Sequence, residues 1–334
     1  MTRTVTTEQG GKKATQSACA GTYNVNRLRM AVVGTGYLGR FHAQKYNQLP
    51  QCELIAISDV DTARAAAIAI ELSTVAVNNH RDLIGQVDAV SVASPTTTHF
   101  GIAKDLLEAG IHVLVEKPIT VTEAEAEKLI EIAKISKSVL QVGHLERFNP
   151  ALLSVADQIQ NPMFIESHRL APFNTRGADV NVVLDLMIHD IDIIMHLVDA
   201  DLSDIHASGA QVVSSETDIA NARLEFTNGC VANVTASRVS GKVERRMRLF
   251  QKDTYVAVDF QKNTSRVCKV DRQQPDKDGI PVINCIDKNP DKGDAIQAEI
   301  EAFVHAITTG TRPLVSGEDG LRALKTAIQI GQKF

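Results

Sequence analysis

The sequence predicts an α/β protein in which a parallel sheet covered by helices is followed by a second, α+β domain with a largely antiparallel or mixed sheet. Three observations support this prediction. Up to residue 149, short apolar segments alternate with segments of helical length, as is typical of a parallel sheet. Beyond Pro150, alternating strands follow one another with one strongly apolar helix among them. The chain has 334 residues, more than a single hydrophobic core usually supports.

The first folded region is predicted to begin at residue 28 and to end at residue 149. Residues 1–27 are rich in Thr, Ser, Gly and Lys and lack hydrophobic periodicity, so we interpret them as a disordered tail without a function of its own. Within the region, strands are predicted at 28–33, 53–57, 89–93, 112–115 and 139–142, with helices at 39–48, 62–72, 101–109 and 123–133.

The second region, residues 150–334, is predicted to form the domain that binds the substrate. Its apolar helix, at 183–197, is followed by segments in which apolar and polar residues alternate, and two further helices close the chain. Strands are predicted at 164–170, 204–213, 218–226, 230–238, 247–250 and 255–259, and the closing helices at 295–307 and 317–331.

Composition excludes several classes of function. Hydrophobic residues make up 44% of the chain, charged residues 22%, and the net charge is −5, so nucleic acid is not expected as the main partner. No apolar run approaches the roughly 18 residues of a spanning helix, so no membrane insertion is expected. The five cysteines are scattered without a C-x-x-C pair, which argues against structural zinc or a disulfide framework and favours a reducing compartment. We therefore expect a cytoplasmic protein.

A glycine-rich segment between the first strand and the first helix carries the clearest chemical signal. It reads G-x-G-x-x-G, and an acid, Asp59, lies 20 residues after its last glycine, at the end of the second strand. In a Rossmann-type dinucleotide site, Gly34 permits the tight turn, Gly36 lets the backbone approach the pyrophosphate, and Gly39 allows close packing of helix and strand. The expected cofactor contacts here are Gly34, Thr35, Gly36, Tyr37, Leu38, Gly39 and Asp59.

The acid also favours one cofactor over another. A carboxylate at Asp59 accepts hydrogen bonds from ribose hydroxyls and repels a 2′-phosphate, so NAD is expected as the cofactor rather than NADP. Arg64 follows closely in the sequence and keeps NADP open.

A lysine follows the strand predicted at 112–115, in the sequence Glu116-Lys117-Pro118. The cofactor crevice of a doubly wound sheet lies beyond the carboxyl ends of its strands, which places Lys117 beside it. A solvated surface charge is the alternative at such a position. Pro118 is compatible with a cis peptide bond at this turn.

Asp185 and His189 lie four residues apart in the apolar helix and therefore share one face of it. A carboxylate and an imidazole on a buried helix must be hydrogen-bonded. The pair is either a satisfied structural pair or an acid–base pair that lines a cleft. A metal site would need ligands beyond this helix, and none is expected.

These motifs, taken together, resemble those of the Gfo/Idh/MocA oxidoreductases. The order and spacing of the glycine motif, Asp59, Glu116-Lys117-Pro118 and Asp185-x-x-x-His189 match that family from about residue 28 to the C-terminus. The resemblance includes Ser94-Pro95-Thr96 with His99 after the third strand, and Pro313-Leu314-Val315-Ser316-Gly317-Glu318-Asp319-Gly320 before the last helix.

The resemblance implies an NAD-dependent enzyme that oxidises a sugar hydroxyl to a ketone, or catalyses the reverse reaction. Lys117 would then hold the reacting oxygen, His189 would act as the general base with a pKa suited to neutral pH, and Asp185 would orient substrate or imidazole. Glu116 would contact the nicotinamide ribose. The adenine side would be lined by Ser94, Pro95 and Thr96, with His99 among the cofactor contacts. The resemblance also implies a homo-dimer or tetramer assembled through the sheet of the second domain.

The sequence departs from many family members around the apolar helix at 183–197, which the resemblance implies is the catalytic helix. Where those members carry glycines, this chain has Asp179-Val180-Asn181 and Met187. Together with the segments at 143–150 and 168–173, this pattern resembles a subgroup that oxidises the 3-hydroxyl of UDP-N-acetylglucosamine for lipid A biosynthesis. The expected substrate contacts are Arg147, Asn149, Arg169 and Arg176.

Several alternatives stay open at this point. A guanidinium fork suits a diphosphate, but each of the arginines is equally suited to an ordinary ion pair. The substrate could also be a free sugar or a cyclitol. A regulator that binds NAD without catalysis is a further alternative, although it would have no need of a general base.

Overall fold

In a computed structural model, residues 1, 27–174, 180–275, 278–291 and 293–334 are described, and they form two sheets with helices around them. The predicted tail lies outside the described residues except for its two ends. The first sheet has six parallel strands in the order β3-β2-β1-β4-β5-β6. Its strands and helices are β1 (Leu28–Val33), α1 (Tyr37–Gln48), β2 (Cys52–Ser58), α2 (Thr62–Leu72), β3 (Val75–Val77), β4 (Ala89–Val92), α3 (Thr96–Glu108), β5 (His112–Glu116), α4 (Glu123–Ser136) and β6 (Leu140–Gly143).

The strand order explains where a ligand can bind to this sheet. The chain leaves β1 in one direction to form β2 and β3, and then returns to the other side of β1 to form β4, β5 and β6. The connections diverge between β1 and β4, and they open a crevice at the carboxyl ends of the strands. The four residues of β4 are fully buried, as expected of a strand that helices cover on both faces. The predicted Rossmann-type parallel sheet is therefore confirmed.

The second sheet has eight strands in the order β14-β13-β12-β11-β7-β10-β9-β8. Only β7 and β10 pair in parallel, and the other neighbours are antiparallel, so the predicted mixed and largely antiparallel sheet is confirmed. Its elements and the remaining helices are α5 (Pro150–Leu153), β7 (Phe164–Leu170), α6 (Ile188–Leu197), β8 (Leu202–Ala210), β9 (Ile219–Phe226), β10 (Val231–Ser237), β11 (Glu244–Gln251), β12 (Thr254–Asp259), β13 (Thr264–Pro275), β14 (Pro281–Lys288), α7 (Ala295–Thr309) and α8 (Gly317–Gly331). Among the described helices, none is both long and apolar enough to cross a membrane.

Of the last two helices, α7 packs against the first sheet and α8 packs between the two sheets. Phe303 and Ile300 of α7 are fully buried in the same core as Met30 of β1 and Tyr46 of α1. Helix α8 lies between α4 of the first sheet and α6 of the second. The division of the chain at residues 149 and 150 stays a prediction, but α7 completes the core that β1 and α1 form, and α8 contributes to the cores of both sheets.

The hairpin of β13 and β14 was not foreseen, and it corrects the interpretation of the cysteines. Cys268 and Cys285 are directly opposed across the two strands and form a disulfide. The two cysteines are 17 residues apart, a spacing that does not identify a disulfide from the sequence, because the strand register brings them together. The argument from scattered cysteines to a reducing compartment therefore does not hold.

Candidate active site

The glycine loop after β1 is shaped by close backbone contacts. Gly34 has φ +88°, and a Cβ at this position would lie 2.5 Å from the backbone nitrogen of Ser94. A Cβ on Gly39 would lie 1.8 Å from the carbonyl oxygen of Gly34. Gly36 differs from both, since a Cβ there would meet no atom of the described residues within 4 Å. Two glycines are thus required by the fold itself, and the third leaves room in the crevice.

This room lies at the beginning of α1. Gly36 is the N-cap of the helix and, having no side chain, makes no side-chain capping hydrogen bond. The backbone N–H groups and the dipole of a helix N-terminus suit an anionic pyrophosphate. Leu38 is half-buried, and Tyr37 is 64% exposed with its ring packed edge-on against Phe41 at 5.0 Å. The loop therefore fits the pyrophosphate of a dinucleotide, which is the main requirement for NAD.

Asp59 is fixed at the crevice by hydrogen bonds from the glycine loop. Its Oδ2 accepts from the backbone N–H of Thr35 at 2.6 Å and from the Thr35 hydroxyl at 2.7 Å, and its Oδ1 accepts from the N–H of Asp61 at 2.9 Å. Burial alone would raise the pKa of Asp59, but these donors outweigh it and hold the pKa below its usual range. Arg64 lies 3.8 Å away and is half-exposed. The carboxylate is thus charged and oriented, as recognition of ribose hydroxyls requires.

The segment after β4 contains His99, whose ring makes its contacts inside the fold. Ser94 and Thr96 are half-buried and Pro95 is exposed at the start of α3. The ring nitrogens of His99 lie 2.9 Å from the carbonyl oxygen of Pro118 and 2.8 Å from that of Ser94. The imidazole is 1% exposed. The ring therefore links two loops of the crevice, and its place among the cofactor contacts stays a prediction.

Lys117 reaches across from the end of β5 to the catalytic helix. Its Nζ donates to the backbone carbonyl of Asp185 at 2.7 Å and lies 3.8 Å from the Asp185 carboxylate. The side chain is 18% exposed, so it is not the solvated surface charge that the sequence left open. The Lys117–Pro118 peptide bond is cis, as the sequence allowed. The ammonium group lies at the junction of the two halves of the chain.

The catalytic helix begins with a feature that the sequence did not predict. Residues Val183–Met187 form a π-helical turn, and α6 continues from it at Ile188. Such turns are rare and occur often at functional sites. Asp185 lies within the turn, and His189 lies in the first turn of α6. The wider turn changes the spacing of a regular helix, yet both side chains still face Lys117.

His189 is held as a neutral imidazole. Burial lowers its pKa well below the usual value, and the charge of Lys117 lowers it further. Its Nδ1 is buried and has no hydrogen-bond partner within the described part of the chain. The ring of His144, from the loop after β6, lies edge-on to it with centroids 6.5 Å apart. A neutral histidine next to a lysine can accept a proton from a hydroxyl group that the lysine holds.

Two of the predicted substrate contacts are engaged in buried ion pairs. Arg169 donates from Nε to Asp190 at 2.7 Å and from Nη1 to Glu146 at 2.8 Å, and the residue is 3% exposed. Arg147 lies with its Nε 3.0 Å from Asp192, and both side chains are almost fully buried. Both arginines thus form the ion pairs that the sequence left open as the alternative, and a contact with the substrate stays a prediction.

The two remaining predicted substrate contacts are Asn149 and Arg176. Asn149 is the N-cap of α5, where its side chain accepts from the N–H of Ala151 at 3.0 Å. Its amide also donates to Glu146 at 3.2 Å, so it holds the turn rather than a ligand. Arg176 lies outside the described residues.

Sequence reasoning missed a buried polar cluster behind the cofactor crevice. His42 of α1, Glu116 of β5 and Glu299 of α7 place one ligand-type atom each within 4.8 Å of one another. No single stretch of sequence signals this cluster, because its members come from three distant elements. The one local clue was a histidine on the buried face of α1, four residues before the buried Tyr46.

The comparisons with known proteins agree with this geometry. A model described as "Oxidoreductase family, NAD-binding Rossmann fold" matches residues 28–144, and a Gfo/Idh/MocA C-terminal domain model matches residues 161–254. The chain is 40% identical over 304 residues to the UDP-N-acetylglucosamine 3-dehydrogenase of Acidithiobacillus ferrooxidans, covering 91% of this chain and 96% of that protein. It is 26% identical to the myo-inositol 2-dehydrogenase of Thermotoga maritima, covering 89% and 93%.

A solved structure of the Acidithiobacillus ferrooxidans enzyme superposes on the chain with a TM-score of 0.85 and 38% identity, covering 92% of this chain and 97% of that one. Similarity thus extends over both sheets and over the junction where Lys117 and His189 lie. The chain belongs to the Gfo/Idh/MocA family of oxidoreductases and is an NAD-binding dehydrogenase.

Proposed function

We propose that the protein oxidises the 3-hydroxyl group of UDP-N-acetylglucosamine to a ketone with NAD. The observation that carries this proposal is the 40% identity to a UDP-N-acetylglucosamine 3-dehydrogenase, which spans 96% of that relative. The inositol dehydrogenase is similar over a comparable length at only 26% identity. The sugar nucleotide is therefore better supported than a free cyclitol.

The proposed chemistry follows from the junction of the two halves. The ammonium group of Lys117 holds the reacting hydroxyl oxygen and stabilises negative charge as its proton leaves. His189, kept neutral by burial and by the lysine, accepts that proton. Asp185 lies beside the ammonium and orients the sugar or the lysine. When bound, NAD supplies the acceptor for the hydride from carbon 3. Glu116 and Asp59 contact the two riboses of the dinucleotide.

The wider setting follows from the substrate. A 3-keto sugar nucleotide is the substrate type that an aminotransferase needs to introduce a 3-amino group, and we place the reaction in lipid A biosynthesis. Such a reaction uses the cytoplasmic pools of NAD and of nucleotide sugars, so we place the protein there. We expect a dimer or tetramer that is assembled through the open face of the second sheet.

The proposal is tested by measuring NADH absorbance after mixing the purified protein with NAD and UDP-N-acetylglucosamine. The ketone is thermodynamically uphill, so the assay includes an aminotransferase and glutamate to remove it. Free N-acetylglucosamine, myo-inositol and NADP serve as parallel controls. We expect NADH to form with the nucleotide sugar and with none of the control substrates. The substitution Lys117→Ala should abolish its formation.

Two other results would each replace the proposal. Activity on a free polyol and not on the nucleotide sugar would keep the mechanism and discard the substrate. If NAD binds but no substrate is turned over, a regulator that senses NAD would be the better interpretation.

A further inference from the structure

The buried cluster behind the cofactor crevice contains two carboxyl groups that the proposed reaction does not use for proton transfer. Glu299, from the first half of α7, is 1% exposed, and Glu116, at the end of β5, is 9% exposed. His42 lies between them, with its Nε2 at 3.4 Å from Glu116 Oε1 and 4.0 Å from Glu299 Oε2. Oε1 of Glu299 and Nε2 of His42 are buried and have no hydrogen-bond partner among the residues that the structure describes.

The hydrogen bonds around His42 define a direction. The hydroxyl oxygens of Tyr46 and Ser91 are 2.6 Å apart, and the Ser91 oxygen lies 3.0 Å from His42 Nδ1. If Tyr46 donates to Ser91 and Ser91 donates to Nδ1, the neutral imidazole carries its proton on Nε2 and directs it at Glu116. In this arrangement the Nε2 proton lies toward Glu116 Oε1, 3.4 Å from Nε2, which favours an ionised Glu116.

The structure makes room for the Glu116 carboxylate and stabilises its charge. A Cβ on Gly143 of β6 would lie 3.0 Å from the carboxyl atoms of Glu116, so the neighbouring strand needs a glycine there. The backbone N–H of Lys117 donates to Glu116 Oε2 at 3.3 Å. Glu299 Oε1 receives no hydrogen bond from the described residues, and the side-chain amide of Gln141 donates to the backbone carbonyl of Glu299 instead.

The cluster therefore holds one proton on a carboxyl group. Two carboxyl groups in one buried site cannot both ionise without a large cost, so one of them stays protonated. Burial raises the pKa of Glu299 well above its ordinary value, and the charge of Glu116 adds to this effect. The titratable groups that face the cluster are His42 and Tyr46 from α1, Lys117 after β5, His99 from α3 and His144 after β6.

We propose that Glu299, His42 and Glu116 form a proton-sharing cluster with a single negative charge, located on Glu116, and that this charge makes the site prefer NAD+ to NADH. Glu299 is a positioning residue in this arrangement, because it acts on the cofactor only through Glu116. The inference rests on the proposed function in one respect, namely that Glu116 lies at the nicotinamide end of the dinucleotide.

The preference follows from the charge of the nicotinamide ring. The ring is positive in NAD+ and neutral in NADH, whereas the rest of the dinucleotide is unchanged. A fixed negative charge nearby stabilises the first form more than the second. A unit charge near the ring in partly buried surroundings changes the ratio of the two affinities by about tenfold or more. The direction suits an enzyme that oxidises an alcohol.

The test compares two matched glutamate-to-glutamine variants of the whole protein. The dissociation constants of NAD+ and NADH are measured by calorimetry for the wild type, Glu116→Gln and Glu299→Gln. Removing the charge on Glu116 should reduce the preference for NAD+ by about tenfold. Glutamine in place of a protonated Glu299 keeps both size and charge, so the ratio should change by less than about twofold. A merely structural defect would weaken both affinities together and leave their ratio unchanged.

A spectroscopic measurement locates the proton independently of binding. The infrared spectrum of the wild-type protein should contain the carbonyl stretch of a protonated carboxylic acid, sensitive to deuterium exchange, which is lost in Glu299→Gln and retained in Glu116→Gln. Its absence from the wild type would overturn the proposal. An equal shift of the affinity ratio in both variants would do the same, because Glu299 would then be ionised. So would a stoichiometric divalent cation in the dialysed protein, since it would replace the proton.

Neither measurement requires turnover of a sugar. If the nucleotide sugar proves to be the wrong substrate, the affinity ratio and the infrared band still decide this inference separately.

Discussion

The two walls of the crevice are built in opposite ways. On the cofactor side, the glycine loop and Asp59 come from one stretch of 26 residues, from Gly34 to Asp59, in which Gly34 and Gly39 make the close contacts that the motif predicts and Thr35 donates to Asp59. On the sugar side, Lys117, His189 and Arg169 come from three distant elements. On this side, residues predicted to contact the substrate, such as Arg169 and Arg147, form ion pairs with buried carboxylates of the fold.

The difference shows what limits an inference from residue type. A glycine with positive φ beside a helix N-terminus has few alternative uses, so a local motif identifies it. An arginine suits a buried carboxylate as well as a phosphate, and the partner is decided by which strands meet. Arg169 finds Asp190 and Glu146 because β7 packs against α6 and the loop after β6.

The largest effect is expected from His189→Ala, which removes the proposed base on the sugar side. The value of kcat should fall by about 10²- to 10⁴-fold, the usual contribution of a general base, while the affinity for NAD is unchanged. Steady-state kinetics and NAD titration measure the two quantities. His196→Ala is the matched control, because His196 is exposed on the same helix and should be neutral. A loss of NAD binding together with kcat would remove the contrast between the two walls.

The pH profile of the wild type tests the same residue without a substitution. Since burial and Lys117 lower the pKa of His189, the imidazole is neutral and able to accept a proton at pH 7. The value of kcat/KM should fall only as the pH drops below about 6.5, the ordinary pKa of histidine. An acid limb centred above pH 7 would contradict a depressed pKa.

A third prediction tests whether Arg169 stabilises the fold through its buried ion pair. Arg169→Met removes the cationic partner of the buried Asp190, which keeps its hydrogen bond from Ser167, and should lower the free energy of unfolding by about 3–5 kcal/mol. Denaturant titration measures this loss. Arg248→Met, on the same sheet, breaks an exposed pair with Glu166 and should cost about 1 kcal/mol or less. Unchanged stability with a raised KM for the nucleotide sugar would return Arg169 to the substrate.

The smallest effect separates two glycines of the same loop. Gly39→Ala places a Cβ against the Gly34 carbonyl oxygen and should lower the stability by about 1–3 kcal/mol. Gly36→Ala has open space around the new methyl group, so stability should fall by less than about 1 kcal/mol, the difference between glycine and alanine at an N-cap. NAD affinity should nevertheless fall, because the methyl group occupies the approach to the pyrophosphate. Thermal unfolding with and without NAD distinguishes the two variants, and equal destabilisation by both would contradict the division of roles.

Much of the fold and part of the site followed from sequence patterns of short range. Apolar strands at intervals of helical length predicted the parallel sheet, and the mixed sheet followed from alternation after Pro150. The bounds of β1 and of α8 agree with the structure to the residue. The β13–β14 hairpin was missed because its exposed strand, with apolar side chains such as Ile283 and Ile286 on the surface, lacks the alternation of a half-buried strand.

The sequence by itself determined the features that depend on neighbouring residues: the turn at Gly34, the start of α1 after Gly36 and the acid at the end of β2. Tertiary structure alone decided whether a polar side chain faces the crevice or the core. It paired Arg169 with Asp190, turned His99 to the backbone of two loops, and brought Glu299 of the last third of the chain against Glu116. The physical reason is that a buried polar group must find a partner, and its partner is set by packing between elements that are distant in sequence.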